Sequence, residues 1–193
     1  VGATKLNTTG GGAGGYSRKR IPITSGDTFT VVVGAGGQAS SSKLPGAGNL
    51  TAGGNGGEST FDHASATANI ALDSNGGVGG LANVDNSAGT YAGGAGGTAT
   101  GGDVNFTGGR GGTITRSNTG SNTGCFTTGG GAVAIFGQAF NGGDINYTSS
   151  GTTSAATGGA GIGGNGGNIA YDTGSADSIS ASGGGSASGE GNG

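Results

Sequence analysis

The chain has 193 residues, of which 54 are glycine and two proline, with no tryptophan or methionine. Charged residues make up 9% and aromatics 5%, so a conventional oily core is thin for this length. The net charge of −3 argues against a nucleic-acid partner, whose phosphates need clustered Lys and Arg, and no apolar run approaches the ~18 residues that membrane insertion as a helix takes.

Glycine enrichment of this size fits either disorder or a lattice in which bare backbones approach closely. The weak net charge, and the apolar clusters that separate the glycine blocks, favour the lattice. Neither a secretory leader nor an initiator Met is present, so the expectation is a processed chain or a portion of a longer one.

In chain order, the basic cluster Ser17-Arg18-Lys19-Arg20 comes first. It reads as a solvated strand end, with contact to phosphate or lipopolysaccharide as the alternative. Arg20–Thr24 alternates, Ser25-Gly26-Asp27 supplies turn chemistry, and Thr28–Val33 is β-branched, which predicts a hairpin with Pro22 on its edge strand. Gly34, Gly36 and Ala39 then spell the G-x-G-x-x-A of a dinucleotide turn. That turn needs a helix behind it, and Ser40-Ser41-Ser42-Lys43-Leu44-Pro45-Gly46 has no helical periodicity and ends in a stop. No cofactor is expected.

The pentapeptide GGxGG occurs at 11–15, 53–57, 76–80, 93–97, 108–112 and 163–167. Its irregular intervals predict no fixed-period solenoid, and the scarcity of proline excludes collagen. In a threefold extended helix, residues i and i+3 share a face, so only x of GGxGG projects and the other two faces are bare backbone. The structural glycines are therefore Gly53, Gly54, Gly56, Gly57, Gly93, Gly94, Gly96, Gly97, Gly108, Gly109, Gly111 and Gly112. This packing predicts that alanine at Gly94 or Gly109 destabilises far more than a change at Ala95 or Arg110.

Residues 58–75 carry Phe61, Ile70 and Leu72 with partial alternation and predict strands or extended chain. Gly101-Gly102-Asp103-Val104-Asn105-Phe106-Thr107 recurs as Gly142-Gly143-Asp144-Ile145-Asn146-Tyr147-Thr148, whose apolar pair points to one side of a strand. Loops 113–128 and 147–157 are rich in Thr, Ser and Asn, and 183–193 reads as a flexible tail or a terminal rod. The fold class expected is mostly β and irregular, with essentially no α-helix. A short hairpin (10–37) leads into a packed array of polyglycine-II rods (38–182), followed by the tail (183–193), all in a single domain spanning 1–193.

Chemical motifs are sparse. His63 is the sole histidine and is expected at the surface or in a turn, although Ser59, Asp62 and His63 invite a nucleophile reading. Asp103/Asn105 and Asp144/Asn146 invite calcium, against the commoner use of such pairs to cap turns; metal is not expected. Cys125, the only cysteine, is expected to be a small buried hydrophobe.

The stretch GGGAGGYSRKRIPITSGDTFTVVVGAGGQ (10–38) resembles the glycine-rich domain of bacteriophage tail-fibre and other virion proteins. GGNGGESTF (53–61), GGDVNFTGGRGG (101–112) and GGDINYT (142–148) are similar to its later units. The resemblance implies a non-enzymatic virion protein on the particle surface, partnered by other virion proteins and by a bacterial surface receptor, protein or glycan. It also implies receptor contact through loops at rod ends, here the segments holding Tyr91, Phe126 and Phe140, whose other reading is aromatic packing over the rod ends. Unlike that family, the chain has no long aromatic tip loops, so a capsid decoration or head-fibre role is the alternative and ice binding a more distant one. Oligomeric state stays open.

Overall fold

Short strands and glycine-rich stretches alternate along the chain because β-branched and aromatic residues come in clusters of three to six between the glycine blocks. The structure, a computed structural model, describes residues 5–40, 51–64, 69–83, 88–117, 124–133, 139–148, 154–161, 163–171, 178–181 and 183. The expected stop at Pro45-Gly46, the inner parts of the two Thr/Ser/Asn-rich loops and the tail beyond Gly183 lie outside the described residues.

The first strands are β1 (Lys5–Thr8), β2 (Tyr16–Arg18), β3 (Thr28–Val32), β4 (Ser59–Ala64) and β5 (Asn69–Ser74). After them come β6 (Ala82–Asn83), β7 (Gly89–Tyr91), β8 (Ala99–Thr100), β9 (Val104–Phe106) and β10 (Ile114–Arg116). The last are β11 (Gly124–Thr127), β12 (Ala132–Val133), β13 (Ala139–Phe140), β14 (Ile145–Tyr147), β15 (Ser154–Ala156), β16 (Ile169–Tyr171) and β17 (Ser178–Ser180). No helix occurs among the described residues.

Between strands, the glycine blocks run as rods that bond sideways, apart from a turn in which Gly161 and Gly164 bond each other. Gly12 and Gly15 donate to Val78 and Asn75, both at 2.9 Å, while Gly94 and Gly97 donate to Gly10 and Ala13 at 2.9 and 2.8 Å. Gly108 and Gly111 reach Gly97 and Gly94, and Gly109 and Gly112 reach Ala132 and Gly129. In each pair the donors are three residues apart and their acceptors are three apart, the signature of a threefold helix without internal bonds. Rod 9–15 is the hub: it donates to rods 75–80 and 108–112 and accepts from rods 93–97 and 129–131. Threonines mark where strand becomes rod. Thr128 Oγ1 donates to Gly112 O and accepts from Gly10 N, and Thr157 Oγ1 donates to Gly143 O.

No fixed-period solenoid forms, as expected, but the C-terminal part does stack into coils of unequal length. β10, β14 and β16 stack in parallel with Ile114, Ile145 and Ile169 in register, and β11, β15 and β17 do the same beside them. The chain thus coils through one sheet, then the other, then a glycine rod, and Ala160 of one rod donates to Gly130 of the one before it. The coils differ in length by whole loop segments, which hides the period from a search for a fixed interval. The two sheets run β17-β15-β11-β1-β6 and β16-β14-β10-β7. Between them lies the core of Tyr91, Ile114, Phe126, Ile145, Tyr147, Ala155 and Ile169.

A separate sheet, β3-β4-β5-β8, is antiparallel throughout. It replaces the expected hairpin: Thr28–Val32 pairs with β4, and 20–24 forms no strand. The turn itself is present, with Gly26 at a φ of 95° and the Thr24 N–H and hydroxyl donating to the Asp27 carboxylate at 2.9 and 2.8 Å. What the local reading lacked was a partner with aromatic surface. β4 sets Phe61 and His63 against Phe29, and Pro22 has no N–H to donate.

Candidate functional site

The duplicated Gly-Gly-Asp units fold as anticipated into strands, and their carboxylates face cations supplied by the chain. In the first, Asp103 Oδ1 accepts from Lys19 Nζ at 3.1 Å and Oδ2 accepts from the Arg20 N–H at 3.3 Å. Asn105 Oδ1 accepts from Ser17 Oγ at 2.7 Å and from the Gly102 N–H at 3.0 Å. In the second, Arg110 donates to both oxygens of Asp144, at 2.8 and 2.6 Å, and the Thr113 N–H adds a third bond at 2.7 Å. Arg110 holds the Asp144 carboxyl below its ordinary range, helped by Thr113 and opposed by burial. Lys19 does the same for Asp103, with the Arg20 N–H second. These are turn-and-strand clamps in which a cationic side chain occupies the position a metal would need. No group of three or more potential ligands occurs among the described residues.

The dinucleotide-like stretch is a rod. The Ala35 and Gln38 carbonyls accept from Gly57 and Gly54, and the Gly34 N–H donates to Ser59 Oγ at 3.0 Å. Ser59 is therefore committed to backbone, and His63 finds a different acid from the neighbouring one in sequence. His63 is 3% exposed, which corrects the surface assignment, and its Nε2 lies 2.9 Å from Asp27 Oδ2. Phe29 stacks on its ring at 4.8 Å between centroids. The Asp27 carboxyl is held low first by the Thr24 N–H, then by the Thr24 hydroxyl, with His63 contributing less. This aromatic-and-acid lock fastens the turn before β3 onto β4. Sequence reasoning missed it because Asp27 lies just before β3 and His63 on β4, two strands whose pairing was not foreseen.

Two of the three aromatics expected at rod ends are placed inside. Tyr91 and Phe126 are 7% and 2% exposed, and Phe126 packs on Tyr147 at 5.1 Å between centroids. Phe140 is half-buried in the β12–β13 ribbon. Arg116, also buried, sets its guanidinium 5.6 Å from the Phe126 centroid. Cys125 shows the converse: next to buried Phe126 on the same strand, it points to the other face and is exposed.

What the surface does offer lies at the β2 end and along β3. Arg18, Lys19, Arg20, Asp103 and Val104 line a shallow open concavity, and Arg18 and Arg20 are exposed. The other described arginines are the paired Arg110 and the buried Arg116, so the exposed guanidinium charge is concentrated here. On β3, Phe29, Val31 and Val32 are exposed, as are Val33 just after it and Ile23 before the turn. No helix among the described residues is long and apolar enough to cross a membrane. Neither a family model, nor a curated protein, nor a solved structure matches this chain.

Proposed function

We propose that the protein is a non-enzymatic structural component of a bacteriophage particle, of the tail-fibre adhesin type, using glycine rods as a rigid scaffold for host attachment. The observation that carries this reading is the three-residue rhythm of bonds between rods. Such a lattice fixes many backbones against each other with almost no side-chain core, and it fits a part whose task is stiffness and display. The resemblance of 10–61 and of the two Gly-Gly-Asp units to the virion glycine-rich domain supports it independently. The receptor surface in this reading is the exposed basic strand end at Arg18 and Arg20, not the buried aromatics, and its natural ligands are anionic groups of a bacterial envelope.

Labelled antibody against this chain, applied to purified particles and viewed by electron microscopy, tests the reading. Label at fibre tips supports the adhesin. Label on the capsid favours the second reading, a decoration or head-fibre protein, for which the open apolar strand β3 speaks as an attachment surface. Particles that carry no label overturn both.

A further inference from the structure

Five of the six exposed large hydrophobic side chains among the described residues fall within eleven positions: Ile23 at 67%, Phe29 at 39%, Val31 at 63%, Val32 at 49% and Val33 at 83%. They lie on and beside β3, the edge strand of its sheet, which bonds to β4 on one side and to no described residue on the other. Natural edges are blunted by Lys, Pro or a bulge, and Thr28–Val33 has none of these. An edge strand that is open, flat and apolar is a template for another strand.

We propose that β3 pairs antiparallel with β3 of a second copy of this chain about a two-fold axis at Val31. The occupant follows from the strand's own complementarity. Phe29, Val31 and Val33 share one face by the period of two. In that register Phe29 lies opposite the partner's Val33, and Val31 opposite the partner's Val31, which are aromatic–β-branched and aliphatic pairs of the favoured kind. Thr30 meets the partner's Val32 on the other face. No charge occurs from Thr28 to Val33 that would call for an oppositely charged partner. The pairing joins two four-stranded sheets into one of eight strands. It does not depend on the virion reading.

Sedimentation velocity on the whole chain, from low to high micromolar, tests this. The expected result is a concentration-dependent species of twice the 17.5 kDa chain mass. Val31→Lys and Val33→Lys each abolish it, while Val78→Lys, at the other exposed apolar position, leaves it in place. Val33 lies beyond the residues paired with β4, so its variant keeps the sheet even if Val31→Lys disturbs it. In a Cys125→Ser background, Val31→Cys forms an intermolecular disulfide across the axis on mild oxidation. A wild-type chain that stays monomeric throughout, or a dimer that survives Val33→Lys, overturns the proposal.

Discussion

The N–H of Gly94 donates to the carbonyl of Gly10 at 2.9 Å, and a Cβ on Gly94 would fall inside contact distance of the Val78 carbonyl on a third rod. One residue thus serves two neighbours, bonding to one and yielding space to another. The same holds sterically at Gly93, Gly96, Gly97, Gly108, Gly109, Gly111 and Gly112, each of which would aim a Cβ at a neighbouring backbone carbonyl. The outer rod 53–57 is looser: the nearest atoms to such a Cβ lie at 3.4 Å for Gly53, 2.9 Å for Gly54, 3.1 Å for Gly56 and 2.8 Å for Gly57. Tolerance is therefore expected to vary position by position, since Gly11 and Gly14 of the hub meet their nearest atoms only at 3.4 and 3.5 Å.

The x position of GGRGG is not an idle one. Arg110 bonds Asp144 through both nitrogens, but its side chain is 40% exposed and that of Asp144 29%. Solvent screening then limits Arg110→Ala to a loss of about 1 kcal/mol in denaturant melts. Asp144→Ala costs more, because the Thr113 N–H also loses its acceptor. Raised salt narrows the gap between wild type and Arg110→Ala.

Acid weakens the fold in a defined direction. Asp27, Asp103 and Asp144 all have carboxyls held below the ordinary aspartate value of 3.8. A depressed folded pKa contributes stability above the unfolded pKa and loses it as pH falls through the folded value. The contribution of these three carboxylates is thus constant from neutral pH to about 4 and falls below that. Asp144→Asn starts less stable at neutral pH and shows a smaller drop, which thermal melts at stepped pH will read.

Buried aromatics are expected to be structural. Phe126→Ala and Tyr91→Ala each lower stability by about 3–5 kcal/mol, the usual range for a large core deletion, with Phe140→Ala costing less. Urea unfolding followed by circular dichroism checks this. Equal, small effects at all three positions would place Tyr91 and Phe126 outside the core.

Cys125 is expected to react in the folded state. Its exposure predicts one rapid thiol equivalent with a maleimide under native conditions, and no change in that rate upon partial denaturation. Slow labelling that accelerates with urea would restore the buried assignment.

Much of the fold was legible because glycine's lack of a side chain is a local property. Rods formed at 11–15, 53–57, 76–80, 93–97 and 108–112, though at 163–167 Gly164 closes a turn onto Gly161, and Ile145 and Tyr147 took the inward side of their strand as the period of two required. Pairing between distant strands was not legible. The local reading paired Thr28–Val33 with 20–24, whereas the partner is β4, whose Phe61 and His63 stack against Phe29. The coil stack was hidden for the same reason, since Ile114, Ile145 and Ile169 align across loops of unequal length. The expected tip aromatics misled because strand position, rather than residue type, determines which side of a sheet an aromatic occupies.

The most direct test compares one substitution at two glycines. Gly36 sits in a rod with nothing within 4 Å of a Cβ, whereas Gly94 faces the Val78 carbonyl. Gly36→Ala is expected to leave stability unchanged or raise it by about 0.4–1 kcal/mol, through the lower entropy of the unfolded chain. Gly94→Ala is expected to lose about 3 kcal/mol or more, because two backbones must move apart. Thermal melts of the two variants decide the matter, with Ala95→Ser as a neutral control at an exposed x position. Equal melting temperatures for Gly36→Ala and Gly94→Ala would contradict the packed-rod account.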